Sequence, residues 1–282
     1  MTIEFENVEH TYEAKTSFGV KALDGINLKI ESDEFIGVIG ATGSGKSTLM
    51  QHMNGLLKAT SGVIKFDGKN IYDKDFSLKK LRDHVGLVFQ YPEHQLFEMT
   101  IFDDVCFGPK NQGLDADEIK RRAEDALRLT GIGEDLYGVS PFDLSGGQKR
   151  RVAIAGVLAM CPDILILDEP AAGLDPAGKK EIFDNIAELK KERKITVILV
   201  SHSMDDVAEY VDRLIVMDKG RILYDDTPAE VFKNVDELEA IGLAVPEVSY
   251  LMRDLRDNGF DVPDDVLTVD DAVNEIWRVL DR

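Results

Sequence analysis

Apolar and polar positions follow two periods along this chain. Residues 26–30 alternate, and residues 35–39 form an apolar run interrupted only by glycine; both patterns predict strands, the second buried on both faces. A helix is expected over 46–56. Val63-Ile64-Lys65-Phe66, followed by Asp67-Gly68, reads as a hairpin arm with its turn. Residues 85–89 read as a further buried strand, while 117–129 and 151–160 carry apolar residues at helical spacing. The runs 164–167 and 196–200 are apolar at every position, the mark of central parallel strands covered on both sides. Strands alternating with helices predict an α/β fold.

Between residues 90 and 162 the pattern turns mostly helical. This predicts a helical subdomain, about 92–162, inserted in an α/β core that spans 1–235. The character changes again beyond it: residues 236–282 hold 13 acidic and 4 basic residues. Val248, Leu251, Met252 and Leu255 make one helical stripe there. Val269, Ala272, Val273, Ile276 and Leu280 make another, opened by Thr268 and Asp271 at capping-box spacing. Two short amphipathic helices need a cover, either each other and their own core or a partner chain.

Composition narrows the function. With 282 residues, 44% of them hydrophobic, the chain supports one large domain and a small appendage. A net charge of −20, from 33 basic and 53 acidic residues, repels phosphate backbones, and no basic stripe offsets it, so no nucleic-acid partner is expected. Cys106 and Cys161 lie far apart and read as packed thiols of a reducing compartment. The start Met1-Thr2-Ile3-Glu4 lacks the basic and apolar stretches of an export signal, which predicts a cytoplasmic protein. The longest apolar run, 152–161, is half of the ~20 residues a membrane-spanning helix needs, so membrane contact is expected through a partner.

Three segments carry chemistry. Gly40-Ala41-Thr42-Gly43-Ser44-Gly45-Lys46-Ser47-Thr48 places a phosphate loop between a buried strand and a helix. Glycines let backbone N–H groups curl around an anion that faces the positive end of the helix. Lys46 is expected on the β- and γ-phosphates of ATP, and Ser47 on Mg²⁺. In Ile164-Leu165-Ile166-Leu167-Asp168-Glu169 two carboxylates end a buried strand, where open parallel sheets hold ligands. Asp168 suits the Mg²⁺ shell, and Glu169 is placed to orient or deprotonate an attacking water. Leu144-Ser145-Gly146-Gly147-Gln148 opens a second helix suited to an anion. One γ-phosphate does not need two such helix starts, so Ser145 and Gly147 are expected to serve the nucleotide of a neighbouring subunit; the plainer reading is Ser145 as an ordinary helix cap.

These motifs, in this order, resemble the ABC ATPase family over nearly all of residues 1–235. The resemblance implies a P-loop core of the ABC type, with the inserted helical subdomain and a small helical C-terminal extension. It implies that Gln90 is the loop glutamine that senses Mg²⁺ and a transmembrane partner, that His202 is the switch histidine on the γ-phosphate, and that Ala172-Gly173-Leu174-Asp175 crosses a dimer interface. It also implies an aromatic residue stacked on adenine. Tyr12 is the choice, with Phe18 as substitute because the stretch 13–20 is longer than in many members.

A closer resemblance lies in Gln51-His52-Met53-Asn54-Gly55-Leu56-Leu57, in Phe89-Gln90-Tyr91-Pro92-Glu93-His94-Gln95-Leu96-Phe97 and in Phe107-Gly108-Pro109-Lys110-Asn111. These are similar to the ATPases of energy-coupling factor transporters, which import vitamins and metal ions, and most similar to the second, A-prime, subunit. The resemblance implies an ATPase on the cytoplasmic face of the membrane, paired with a second ABC ATPase and favouring a heterodimer. A transmembrane T subunit would dock near Gln90, Glu93 and Glu98, and substrate-binding S subunits would join through the complex. Glu93, Glu98, Asp103 and Asp104 are expected either to pair with arginines of the T subunit or to form a merely solvated face. The alternative class is a soluble ABC ATPase of DNA repair or translation. A regulator that binds nucleotide without hydrolysing it lacks support, since Glu169 and His202 are both present.

Overall fold

The computed structural model describes residues 1–14 and 18–280. The chain opens with β1 (Ile3–Tyr12), β2 (Val20–Ile30) and β3 (Phe35–Gly40), then α1 (Lys46–Met53), β4 (Ser61–Phe66), β5 (Lys69–Asn70), α2 (Leu78–His84) and β6 (Val85–Val88). Three helices follow: α3 (Ile101–Gln112), α4 (Ala116–Leu129) and α5 (Gly146–Leu158). Then come β7 (Ile164–Asp168), α6 (Pro176–Arg193), β8 (Thr196–Val200), α7 (Met204–Tyr210), β9 (Arg213–Asp218) and β10 (Arg221–Asp226). The chain closes with α8 (Pro228–Phe232), α9 (Val235–Ala240), α10 (Glu247–Asp257) and α11 (Val269–Leu280).

A six-stranded sheet, ordered β10-β9-β3-β8-β7-β6, is parallel except at its β10 edge. Successive residues of its central strands enter two different cores. Leu165, Leu167, Val197 and Leu199 join the helices on one side; Ile164, Ile166, Ile198 and Val200 face a second sheet and α1 on the other. Burial on both faces is why these strands read as unbroken apolar runs.

The second sheet, β2-β1-β4-β5, is antiparallel and was not legible as a separate layer. Its strand β1 pairs through repeated register shifts, which break the period-two signal, and Glu4, Glu6 and Glu9 interrupt the apolar positions. At its β4–β5 turn, Asp67 and Gly68 both have positive φ, as a two-residue turn of the mirror-image type requires.

Helix ends follow the expectation in one case and not in another. Helix α1 stops at Met53 rather than residue 56, because Gly55 turns left-handed and the Asn54 amide donates to the Val85 carbonyl. Helix α5 starts at Gly146, where the sequence expects this helix to open, capped reciprocally by Ser145 and Gln148. Helices α3 to α5 lie between β6 and β7 in the chain, as one packed group against the sheet.

At the C-terminus Phe232, Leu238, Leu243 and Val245 still belong to the main core. A small separate core begins at Val248 and unites α10 with α11 through Met252, Val262, Val266 and Ala272. This covers half of the two stripes. Leu251, Val269, Val273, Trp277 and Leu280 remain exposed, with Trp277 at 60%. No helix among the described residues is long and apolar enough to cross a membrane.

Candidate active site

The C-terminal ends of β3, β6, β7 and β8 deliver Gly40, Gln90, Asp168 and Val200 to one edge of the large sheet, and a cleft of about 340 Å³ opens there. Its wall takes in Thr42, Gly43, Ser44, Gly45, Lys46, Ser47, Thr48, Gln90, Asp168, Glu169, His202 and Tyr12. Motifs spread over 190 positions of sequence thus line a single space, because four neighbouring strands end beside one another.

The loop over 40–45 has its shape built in. Gly40 has φ +155°, and a Cβ there would meet the Met217 carbonyl oxygen at 2.4 Å. Gly45 has φ +106°, and a Cβ would meet the Ala22 carbonyl oxygen at the same distance. Neither position admits a side chain. The loop is pinned from outside: Gly220 N–H donates to the Ser44 carbonyl at 2.9 Å, and Asp24 N–H donates to the Gly220 carbonyl at 2.8 Å. Lys46 Nζ donates to the loop's own carbonyls, Gly40 at 2.6 Å and Ala41 at 3.2 Å. Burial lowers the pKa of this ammonium, against the pull of Glu169 and Asp168. The buried Ser44 hydroxyl oxygen has no hydrogen-bond partner among the described residues.

Asp168 is 7% exposed, and burial raises its pKa while the Ser47 hydroxyl, hydrogen-bonded to it, pulls the other way. Glu169 sits just past the strand with φ +52°, its N–H donating to the Val200 carbonyl at 3.0 Å. Such a backbone is strained for glutamate and marks a side chain aimed by its surroundings. Burial first, then the neighbouring Asp168 charge, pushes its carboxyl up to about 7. His202 Nε2 stands 3.5 Å from Glu169 Oε1, and burial lowers the pKa of its imidazole.

This donor set fits ATP with Mg²⁺. A cradle closed to side chains, a buried unpartnered Ser44 hydroxyl, a lysine whose Nζ is held on loop carbonyls and a hydroxyl–carboxylate pair, Ser47 and Asp168, supply the contacts of a phosphate chain and an oxygen-loving cation. Gln90, in the same lining, would complete the cation's shell.

Tyr12 lines the cleft, its hydroxyl 3.1 Å from Thr48 Oγ1 and its ring edge-on to His10 at 4.5 Å. Phe18 is 79% exposed and lies outside the lining; residues 15–17 of the same stretch lie outside the described residues. Val20, Lys21 and Ala22 also line the cleft and were missed. The one available signal was their place at the start of β2, paired with β1 beside Tyr12.

Ser145, Gly146, Gly147 and Gln148 do not line this cleft. Ser145 caps α5: its hydroxyl accepts from Gln148 N–H at 3.3 Å, and Gln148 Oε1 accepts from Ser145 N–H at 3.1 Å. The plainer reading of the serine therefore holds within the single chain. Leu174 packs beside Gly147, and Asp175 caps α6, so the two loops form one surface.

The acidic cluster after Gln90 requires a correction. Glu93 pairs with Arg150 at 3.2 Å. Asp103 accepts from Thr100 Oγ1 at 2.7 Å and pairs with Lys110, and the buried Asp104 accepts from the Phe97 and Glu98 amides at 3.1 and 2.9 Å. Of these four acids, only Glu98 has a side chain without a hydrogen bond or ion pair to the described residues. The segment also exposes apolar side chains, Tyr91, Phe97, Met99 and Phe107, the second and last packed edge to face at 4.8 Å.

The sequence profile described as ABC transporter matches residues 23–172. The energy-coupling factor transporter ATP-binding protein EcfA2 of Caldanaerobacter subterraneus subsp. tengcongensis is 53% identical over 280 residues, covering 99% of this chain and 98% of that one. Its counterpart in Clostridium acetobutylicum is 54% identical over 282 residues, covering 100% and 99%. This chain is an ABC transporter family ATPase of the energy-coupling factor type. Among solved structures, cbiO1 of Clostridium perfringens, described as part of the ABC transporter complex cbiONQ, is similar with TM-score 0.73 and 44% identity over 89% of this chain and 98% of that one. The ATP-binding cassette MJ0796, described as a dimer in a post-hydrolysis state bound to ADP and Pi, is similar with TM-score 0.73 and 30% identity over 80% and 98%. The α/β fold is that of ABC ATPases, and the chain is an ATP-hydrolysing transport subunit that uses ATP with Mg²⁺. The DNA-repair or translation class is not favoured by these relatives.

Proposed function

We propose that this ATPase powers an importer of vitamins or metal ions, seated on the cytoplasmic face of the membrane and paired with a second, similar ATPase. The carrying observation is the convergence of Lys46, Ser47, Gln90, Asp168, Glu169 and His202 on one cleft. Lys46 and the amides of residues 40–47 hold the phosphates; Ser47, Asp168 and Gln90 hold Mg²⁺. When bound, that cation neutralises charge on the phosphate oxygens. Glu169 orients the attacking water and takes its proton, and His202, neutral at physiological pH, contributes a ring nitrogen at the γ-phosphate end. Tyr12 stacks on adenine, within reach of Thr48.

Ser145, Gly146, Gly147 and Gln148 act on the nucleotide of the partner ATPase, since they do not line their own cleft. The exposed strip of α11 supports a heterodimer contact through the C-terminal extension. The T subunit docks beside Gln90 on the apolar surface of Phe97, Met99 and Phe107, with Glu98 at its rim, and the S subunits join through it.

Affinity purification from membranes should recover a second ATPase and a multispanning chain. In complexes that pair this chain carrying Ser145→Arg with a partner ATPase whose phosphate-loop lysine is replaced by alanine, one composite site should carry both lesions and the other should survive. Loss of both sites in that mixture would overturn the trans assignment.

A further inference from the structure

Apart from Lys46, the buried cation among the described residues is Arg150, 4% exposed on α5. It stands on the helix that Ser145 opens, five residues in, or about 7.5 Å along the axis at about 1.5 Å per residue. Its Nη2 donates to the backbone carbonyl of Gln90 at 3.2 Å and to both oxygens of Glu93, at 3.2 and 3.4 Å. Its Nη1 is buried with no partner. The 3₁₀ turn Pro92–Gln95 that follows Gln90 packs directly on α5.

A guanidinium withdrawn from water, with one nitrogen unsatisfied, is costly, and an apolar residue would pack in its place without that penalty. Its contacts explain what it does there. One nitrogen grips two points of a single loop, the carbonyl of the residue that lines the cleft and the carboxylate three positions later. A helix moves as a rod, so the place of Gln90 is tied to the place of α5.

We propose that Arg150 is a positioning residue for ATP hydrolysis. It locks the Gln90 loop to α5, so that the partner's nucleotide, by drawing Ser145 and Gly147 to itself, also seats Gln90 in this chain's own cleft. This rests on the roles given above to Gln90 and Ser145. Glu93 holds Arg150 in its aim. A lysine in place of Arg150 would keep the charge but lose the planar guanidinium whose Nη2 reaches both acceptors.

The test uses the assembled transporter carrying Gln90→Ala, Arg150→Met, Arg150→Lys, Glu93→Gln or the pair Gln90→Ala with Arg150→Met. Turnover of Mg-ATP is measured, along with hydrogen exchange over residues 90–96 without Mg²⁺ or nucleotide. Arg150→Met should lower kcat about tenfold with KM for ATP within about twofold, and should add nothing in the Gln90→Ala background, as expected of residues that act as one unit. Exchange over 90–96 should quicken about tenfold in Arg150→Met and stay near the parent in Gln90→Ala. Arg150→Lys should fall between the parent and Arg150→Met on both readouts. Multiplicative losses in the double variant, or unchanged exchange, would overturn the lock. Full turnover by Gln90→Ala would instead overturn the role of Gln90, leaving exchange to decide on Arg150. Should Arg150→Met fail to assemble, Glu93→Gln carries the same decision, with an expected loss in kcat of about threefold and quicker exchange over the loop.

Discussion

Glu169 Oε1 and His202 Nε2 face each other at 3.5 Å across the ends of β7 and β8 without making a hydrogen bond. Burial raises the carboxyl's pKa and lowers that of the imidazole, so each is biased towards its neutral form. The pair is thus a weak ion pair at most.

That bias predicts an inverted pH response of stability. The folded chain holds the Glu169 proton up to about pH 7, whereas the unfolded chain releases it near the ordinary 4.5. Between those values the folded state binds more protons, so this contribution to stability declines as pH rises through the window. In chelator, without nucleotide, Glu169→Gln should stabilise the chain at pH 8 by about 1 to 2 kcal/mol after solvent screening, a few degrees in Tm. The gain should vanish near pH 4.5. Equal melting of the two proteins at pH 8 would show that Glu169 carries no such burden.

The same substitution has the opposite effect on chemistry. Glu169→Gln should reduce phosphate release about a hundredfold or more while ATP affinity stays within about threefold, because water activation is lost and the phosphate contacts remain. ATP should then hold the ATPase pair closed, visible as a longer-lived dimer by size exclusion. Near-normal phosphate release would remove Glu169 from its role.

Docking to the membrane partner should depend on apolar cover more than on charge. Phe97→Ser with Met99→Ser should weaken co-purification of the T subunit at least about a hundredfold, since two covered side chains contribute about 1.5 to 3 kcal/mol each. Glu98→Lys should change it by less than about tenfold, as a rim charge does. The reverse ranking in pull-down yields would restore a charge-led interface.

Trp277, the only tryptophan, is a built-in reporter on the uncovered strip of α11. Adding the partner ATPase should shift its emission to the blue, and Trp277→Asp should weaken pairing about tenfold or more. Unshifted emission on formation of the pair would place the contact elsewhere.

The site was legible because its chemistry is written in short contiguous motifs whose backbone roles are fixed by residue type. Gly40, Gly45 and Lys46 can be read one by one for that reason. The wall formed by Val20, Lys21 and Ala22 was not legible, since those residues carry no distinctive chemistry and reach the cleft only through β1–β2 pairing. The central strands were plain because both of their faces are buried. Strand β1 was hidden by its bulges and acidic residues. The acids after Gln90 were misjudged as free charge, since composition cannot tell that Arg150 lies across from Glu93 or that Asp104 turns inward to cap amides.

Lys46 resting on the carbonyls of Gly40 and Ala41 has a bearing on the pace of the cycle. An incoming phosphate displaces existing bonds and so gains only their difference. A departing product leaves behind an ammonium that is satisfied again at once. On the role proposed for Lys46, the loop competes with the phosphate for its own lysine, so product release costs the ammonium no unsatisfied charge.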